Sequence, residues 1–561
     1  MSRGKRLLTL AGTVILLLSL AVPMMQCAPA AEEEVTPPSE EEEGTKYGGR
    51  LNAGFRAEEG IEDLRCDSTW KYETMGCLFW QLPYDQLWVM GPPPEYDILP
   101  RLATSWDIEE NGKTWIFHLR DDVVFHDGEP FTAEDVAFTA TYLPKADPSF
   151  SSSFGRDSEP EVTIIDDYTV SLTFDTPVAQ AYYPAYNVPI LPKHIWEPYK
   201  DDMSSFANEE CIGTGAFKVK EFEPAQYLWF DANEDYWGGR PYVDEVVFKS
   251  YGTDDALYMA LKNGEIDMIG YTGASGMVAK DFEQEDNIEI IVSPGVALDW
   301  LSFNLYKDGP LQDLNVRKAI MHGVDRDKII DLVYLGYAEK IDSFIYPELD
   351  EHNPNLPQYD YDLDKANAML DDSGYVDTDG DGVRNDPTTG KNLMFEVHCS
   401  SDAVESVKVA TCIQEQMATI GIAGEVKVSD WTTYASYLYA PTEGMYDIGL
   451  TGEAPGPYAD WMWEFTRSFD AGGEGWNTAY YNNSELDELY TSLSAETDMA
   501  KRKELLYEMQ LIIAEDVPYG FLYRRNMIDP VRTDKFEGFV PNMGGVGDWT
   551  NAFSFFNVHL K

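Results

Sequence analysis

Three aspartates at alternate positions, Asp377, Asp379 and Asp381, lead into Gly382 and Val383. This is the first half of an EF-hand-type loop, in which oxygens spaced two apart and a glycine at the sixth position suit a hard Ca²⁺ ion. A bidentate glutamate would stand at the twelfth position; Thr388 occupies it, and Asp386 lies close by. Two readings stay open. In one, Asp377, Asp379, Asp381, the Val383 carbonyl and Asp386 hold a structural calcium; in the other, the segment is an acidic turn that binds nothing. Either way its role is rigidity, and no cofactor is required for chemistry. Patterns for covalent or metal-assisted catalysis are weaker. Ser68 and Lys71 satisfy the S-x-x-K of serine acyl-transferases, but no K-T-G follows, and Gly112-Lys113-Thr114 has the wrong order. The seven histidines form no H-E-x-x-H and no serine sits in G-x-S-x-G. Gly213-Thr214-Gly215 lacks the lysine of a phosphate loop and reads as a tight turn. Nothing selects a glycosidase pair among the carboxylates. The residues favour binding over turnover.

The N-terminus argues for export. Arg3, Lys5 and Arg6 precede an uncharged, largely apolar run from Leu7 to Val22, shorter than the roughly 20 residues a membrane-crossing helix needs. This is the layout of a secretory signal peptide over residues 1–27. Cys27 stands where a lipobox places its lipid-bearing cysteine, although Met24-Met25-Gln26 departs from the small residues usual there; ordinary cleavage after Ala28-Pro29-Ala30 is the other reading. Residues 28–46 carry Pro29, Pro37, Pro38 and seven glutamates between Glu32 and Glu43. Such a segment cannot offset its ordering entropy by burial and is expected to be a disordered, self-repelling spacer. A spacer directly after a cysteine makes sense when that cysteine is anchored, so the protein is expected on the outer face of the cytoplasmic membrane or in the periplasm. Of the other cysteines, Cys66, Cys77, Cys211, Cys399 and Cys412, none follows a zinc spacing; a Cys66–Cys77 bridge and buried free thiols are both open.

The elements that must position any site are mixed. Trp115, Phe117 and Leu119 alternate with Thr114, Ile116 and His118 in a half-buried strand pattern, and Val170, Leu172 and Phe174 repeat it. Thr132 with Asp135 resembles a capping box. Val316, Ala319, Ile320 and Val324 share a helical face; Asp362 can cap a helix through Ala366 and Leu370; Leu505 to Ile513 marks a late helix ending before Pro518. Interleaved strands and helices point to an α/β architecture. The body is too long for one core, so several domains are expected. Hydrophobic content of 44% and aromatic content of 13% are those of a folded protein, and the net charge of −58 excludes a nucleic-acid partner.

From Leu99 to Thr139 the chain reads LPRLATSWDIEENGKTWIFHLRDDVVFHDGEPFTAEDVAFT. This resembles the entry region of the family 5 solute-binding proteins of ABC importers, which bind dipeptides, oligopeptides or nickel. Pro100, Leu102, Ala103, Ser105 and Trp106 match its P-x-L-A-x-S-W, and Val124 to Gly128, Pro130, Thr132, Ala133, Asp135 and Val136 match its V-x-F-H-D-G-x-P-x-T-A-x-D-V. Ile212-Gly213-Thr214-Gly215, Tyr236-Trp237-Gly238-Gly239, Leu261 to Asp267, Val316-Arg317-Lys318-Ala319-Ile320 and Asn483 to Asp487 follow in the family's order. The resemblance implies an α/β, bilobed periplasmic-binding-protein-like fold of the large three-subdomain type (class II), with the ligand cleft between lobes. Lobe I would span 47–304, with a family-specific subdomain at about 82–210; lobe II would span 305–528, and 529–561 would return to lobe I. The implied partners are a small ligand and the permease subunits of the importer, with a monomer expected. Peptide binders of the family carry a W-x-G-D motif whose acid pairs with the ligand's α-ammonium. The matching stretch here is Leu450-Thr451-Gly452-Glu453: Glu453 keeps the acid, Leu450 replaces the tryptophan, and Gly456-Pro457 stands where a second acid aligns. Trp431, Tyr458, Trp461, Trp463 and Trp476 are candidate wall residues around Glu453, and Asn304 a further contact. Aromatic walls also suit oligosaccharides, so peptide and sugar both remain as cargo, and a ligand-loaded partner of a signalling receptor remains as an alternative role.

Overall fold

The computed structural model describes residues 46–56, 64, 80–92, 96–109, 112–146, 160–175, 177, 188–202, 205–270, 273–439, 446–454, 459–468, 476–547 and 552–561. The expectations on Cys27, the spacer up to residue 45, Ser68, Lys71, the Cys66–Cys77 bridge, Gly456 and Tyr458 lie outside the described residues.

The chain opens on β1 (Arg50–Arg56), then builds a peripheral region. There β2 (Trp88–Met90) pairs with β3 (Ile98–Pro100), while β4 (Ala103–Glu109), β5 (Thr114–Leu119), β6 (Glu161–Asp166) and β7 (Thr169–Thr173) form an antiparallel sheet in the order β4-β5-β7-β6. The alternation expected of residues 115–119 is present: Trp115, Phe117 and Leu119 are buried and their neighbours are not. Trp88 lies against Trp106 and Phe117, with ring centroids 4.9 and 5.2 Å away. At the start of the helix Ala133–Ala146 the Thr132 N–H donates to the Asp135 carboxylate, as in a capping box, while the Thr132 hydroxyl accepts from the Glu134 N–H, one residue earlier than the box places it.

The chain returns to β1's sheet through β8 (Phe217–Glu223), β9 (Tyr227–Ala232), β10 (Glu245–Tyr251), β11 (Met268–Ile269) and β12 (Ile288–Ser293). With β19 (Met527–Arg532) from the C-terminal part these form a seven-stranded sheet, β12-β19-β11-β1-β10-β9-β8. The helix Asp254–Asn263 crosses between β10 and β11, opened by the Thr253 hydroxyl and closed by Gly264 at φ +73°.

A second sheet follows: β13 (Leu298–Phe303), β14 (Ala338–Lys340), β15 (Met394–Ser400), β16 (Ala423–Ser429), β17 (Ile448–Glu453) and β18 (Tyr519–Arg525), in the order β14-β18-β13-β17-β15-β16. β15 and β16 run parallel with the helix Val404–Thr419 between them. The helices expected near 316–324, 362–370 and 505–513 are Leu314–Gly323, Leu363–Asp372 and Met499–Asp516. Short β20 (Phe536–Glu537) and β21 (His559–Leu560) close the chain. Cys211 and Cys399 are buried free thiols.

The chain passes between the two large sheets twice, between Ser293 and Leu298 and at Asn526, so β13 already belongs to the second sheet although the expected boundary stood at 304. The two crossings lie side by side. A Cβ on Gly295 would sit 1.7 Å from the Arg525 carbonyl oxygen, so only glycine allows this approach. The seven-stranded sheet and the peripheral sheet share a core, and the second sheet is flanked by others. The shared core gathers Leu51, Trp88, Trp115 and Phe248; two of the others lie around Ile320, Val397 and Leu450, and around Trp300, Phe344 and Phe465.

Candidate functional site

Antiparallel pairing of β13 with β17 puts Leu298 opposite Glu453 and Asp299 opposite Gly452. Paired residues share a face and neighbours alternate, so Glu453 projects with Leu298 and Trp300, and Asp299 projects from the other face. This end of the second sheet adjoins the crossing at 294–297.

Glu453 is largely buried, and its carboxyl is pushed up to about 7, chiefly by burial, with the negative charge of Asp299 adding to it. The Tyr439 hydroxyl donates to Oε1 at 3.4 Å and works against that rise. Burial and the neighbouring acid hold the Tyr439 phenol well above its ordinary value, so it stays a donor. Among the described residues no Lys, Arg or His forms an ion pair with Glu453. A desolvated carboxylate without a cation is costly; a cationic group brought by a ligand would relieve it.

Asp299 is differently placed. Arg525 Nε donates to its Oδ2 at 3.0 Å, which offsets part of the burial that raises this carboxyl. A Cβ on residue 452 would lie 2.6 Å from Asp299 Oδ1, so Gly452 makes room for the acid rather than contacting ligand with a side chain. Sequence reasoning missed Asp299, Arg525 and Tyr439. A charged residue inside the apolar run Leu298-Asp299-Trp300-Leu301 was the signal for the first.

The expected aromatic wall divides. Trp476 is 42% exposed, with its ring edge-on to Tyr439 at 5.8 Å and to Phe465 at 6.4 Å. It therefore joins the Glu453–Tyr439 pair. Trp431 is also exposed, edge-on to Tyr434. Trp461 closes the short helical turn Ala459–Trp461 and is half-buried. Three expectations are corrected. Trp463 stacks on Tyr490 with centroids 3.8 Å apart, binding the helix Met462–Thr466 to Ser484–Ala495. Asn304 is buried; its amide donates to the Tyr446 carbonyl and its oxygen accepts from the Tyr306 N–H. Leu450 is buried opposite Leu301 on the face away from Glu453, so the exchange of tryptophan for leucine there alters core packing rather than the acid's surroundings.

Carboxylate oxygens of Asp377, Asp379 and Asp381 lie within 4.8 Å of one another, all three residues exposed. Asp377 accepts from the N–H groups of Gly380 and Gly382, which hold its carboxyl below the ordinary range. Asp381 accepts from the Val383 N–H. Asp386 instead accepts from the N–H groups of Thr388 and Thr389 and stands outside the group.

The family model described as bacterial extracellular solute-binding proteins, family 5 Middle, matches residues 97–476. The chain is 28% identical over 438 residues to the oligopeptide-binding protein AppA of Bacillus subtilis, covering 76% of this chain and 78% of the relative. It is 25% identical to the dipeptide-binding protein of Escherichia coli, covering 81% and 86%. In three dimensions it is similar to the ABC transporter substrate binding protein CtaP from Listeria monocytogenes, with a TM-score of 0.77 at 24% identity over 92% of this chain and 100% of that one. These likenesses fix the fold as the bilobed α/β type of binding proteins.

Proposed function

The chain belongs to the bacterial extracellular solute-binding proteins of family 5, and on that premise we propose that it captures a peptide by its free α-amino group and delivers it to the permease of an ABC importer. The observation that carries this reading is Glu453, a buried carboxylate with no cationic partner among the described residues, held by Tyr439 beside the sheet crossings. An α-ammonium would supply the missing charge through a short, charge-assisted hydrogen bond. The names of the oligopeptide- and dipeptide-binding relatives support the same cargo. In this reading the lobes, near 47–293 with 527–561 and near 298–525, close over the ligand by bending at the two crossings, and the protein binds without turnover as a monomer. Cys27, lipidated, would tether it to the membrane through the acidic spacer. Mass spectrometry of the small molecules released from the purified protein tests the cargo: peptides with free amino termini are expected, and an oligosaccharide would overturn the reading.

We also propose that the 377–383 loop holds a structural Ca²⁺ through Asp377, Asp379 and Asp381, without Asp386. Three convergent carboxylates suit a hard cation. Calcium at a hundred times its dissociation constant should add about 2.7 kcal/mol of stability. Thermal unfolding with calcium and with a chelator reads this directly; the difference should vanish in Asp379→Asn, and no difference in the unsubstituted protein would leave the loop an acidic turn.

A further inference from the structure

Trp476 is an exposed aromatic side chain in ring contact with Tyr439, the partner of Glu453. It is 42% exposed, although its ring edges touch the buried Phe465 and the half-buried Tyr439. A lone exposed tryptophan is ordinary, but the backbone that presents this one is fixed. Asn477 is buried; its amide donates to the carbonyls of Arg467 and Tyr481 at 2.6 and 2.8 Å, and its oxygen accepts from the Tyr481 N–H and the Tyr519 hydroxyl. The next residue, Thr478, joins its hydroxyl to Ser302 at 2.7 Å, and Ser302 bonds Thr451 on the strand that carries Glu453. Trp476 is thus an aromatic surface set at a fixed distance from the acid, the preorganised kind of contact that loses little entropy on binding.

Carboxylate, phenol and indole are linked by two successive contacts. Tyr439 touches Glu453 through its hydroxyl, and its ring centroid lies 5.8 Å from that of Trp476. An ammonium on Glu453 would sit about 2.8 Å from its oxygen, and the side chain of the same residue would reach the indole within the roughly 4.5–7 Å at which aromatic rings attract. Behind the indole, Phe465 leads into Phe344 and Trp300, with centroids 4.9 and 5.3 Å away. These three rings offer an apolar or aromatic side chain a better surface than a polar one.

Building on the peptide reading, we propose that Trp476 is a specificity-determining contact, selecting peptides whose amino-terminal side chain is bulky and apolar or aromatic. The test is calorimetric titration of the full chain, stripped of bound ligand, with tetrapeptides that differ only in the first residue: Phe, Leu, Ala or Lys. The Phe peptide acetylated at its amino terminus provides the control. The unsubstituted protein should bind the Phe and Leu peptides about tenfold tighter than the Ala peptide. Trp476→Ala should erase that ratio, whereas Trp476→Phe should retain most of it. An unchanged ratio in Trp476→Ala, or a Lys peptide bound as tightly as the Phe peptide, overturns the assignment and leaves the peptide reading standing. Binding of none of the free-amine peptides, or equal binding of the acetylated control, overturns the peptide reading itself.

Discussion

Asp85→Ala is expected to destabilise the protein by about 3–5 kcal/mol, the cost of stranding a buried charge, read as a lower urea midpoint at unchanged slope. Asp85 is fully buried, and four donors converge on its carboxylate. Arg101 and the Tyr236 hydroxyl reach Oδ1 at 2.6 and 3.0 Å, and the Trp237 indole N–H and the Thr214 hydroxyl reach Oδ2 at 2.8 and 3.2 Å. Arg101 is half-buried, its guanidinium held over the rings of Trp237 and Phe556. The network ties the peripheral region to the turn at Thr214, to the segment at Tyr236-Trp237 and to the C-terminal helix Phe553–Asn557. The alanine variant leaves the Arg101 charge without its carboxylate in an apolar setting. Asp85→Asn should cost nearly as much, because an amide keeps the shape but not the charge. A double variant, Asp85→Leu with Arg101→Met, should recover part of the loss, since removing both charges avoids the desolvation that the single change exposes.

Glu453→Gln should have the opposite effect on stability and the larger one on binding. The Glu453 carboxyl lies near 4.5 in an unfolded chain and at about 7 in the folded one. Between those values the folded state holds the extra proton, so the ligand-free protein loses stability as pH rises through this window, and the penalty is complete above about pH 7. Glutamine removes it. At pH 8 the ligand-free variant should be more stable by about 2–4 kcal/mol, since each tenfold difference in proton affinity between the two states is worth about 1.36 kcal/mol, and at pH 4 the two proteins should be alike. Affinity for an amine-bearing peptide should fall about a hundredfold, within the range for removing one partner of a buried charge pair. In the unsubstituted protein that affinity should weaken up to about tenfold per pH unit below 7, as protonation of Glu453 competes with the ammonium. Loss of binding with gain of ligand-free stability marks a group kept for function. A glutamate with a merely structural role would show neither the gain nor the pH dependence.

Much of this architecture is legible in the residues. Period-two burial at Trp115, Phe117 and Leu119, the cap at Thr132 and the aspartate before Leu363 are local signals, and local interactions decide them. The family pattern also locates Glu453 by spacing alone. What escapes is set by pairing between distant strands. Leu450 and Glu453 are near in sequence, yet the alternation of β17 sends one into the core and the other towards Tyr439, so the tryptophan position of the motif and its acid face apart. Asp299 becomes part of the site only because β13 lies beside β17, across 149 or more residues of chain that no local pattern spans. Trp463 and Trp476 look alike in sequence; a ring stacked 3.8 Å away on Tyr490 separates a helix-packing residue from an exposed one. Asp386 has the right type and nearly the right spacing, but its own turn takes its oxygens.

The most direct test of the central claim is calorimetric titration of ligand-stripped protein at pH 8 with one peptide in two forms, free at its amino terminus and acetylated. The account predicts binding of the free form and at least about a hundredfold weaker binding of the acetylated form, because acetylation removes the charge that Glu453 lacks. Equal affinity for the two forms would contradict it.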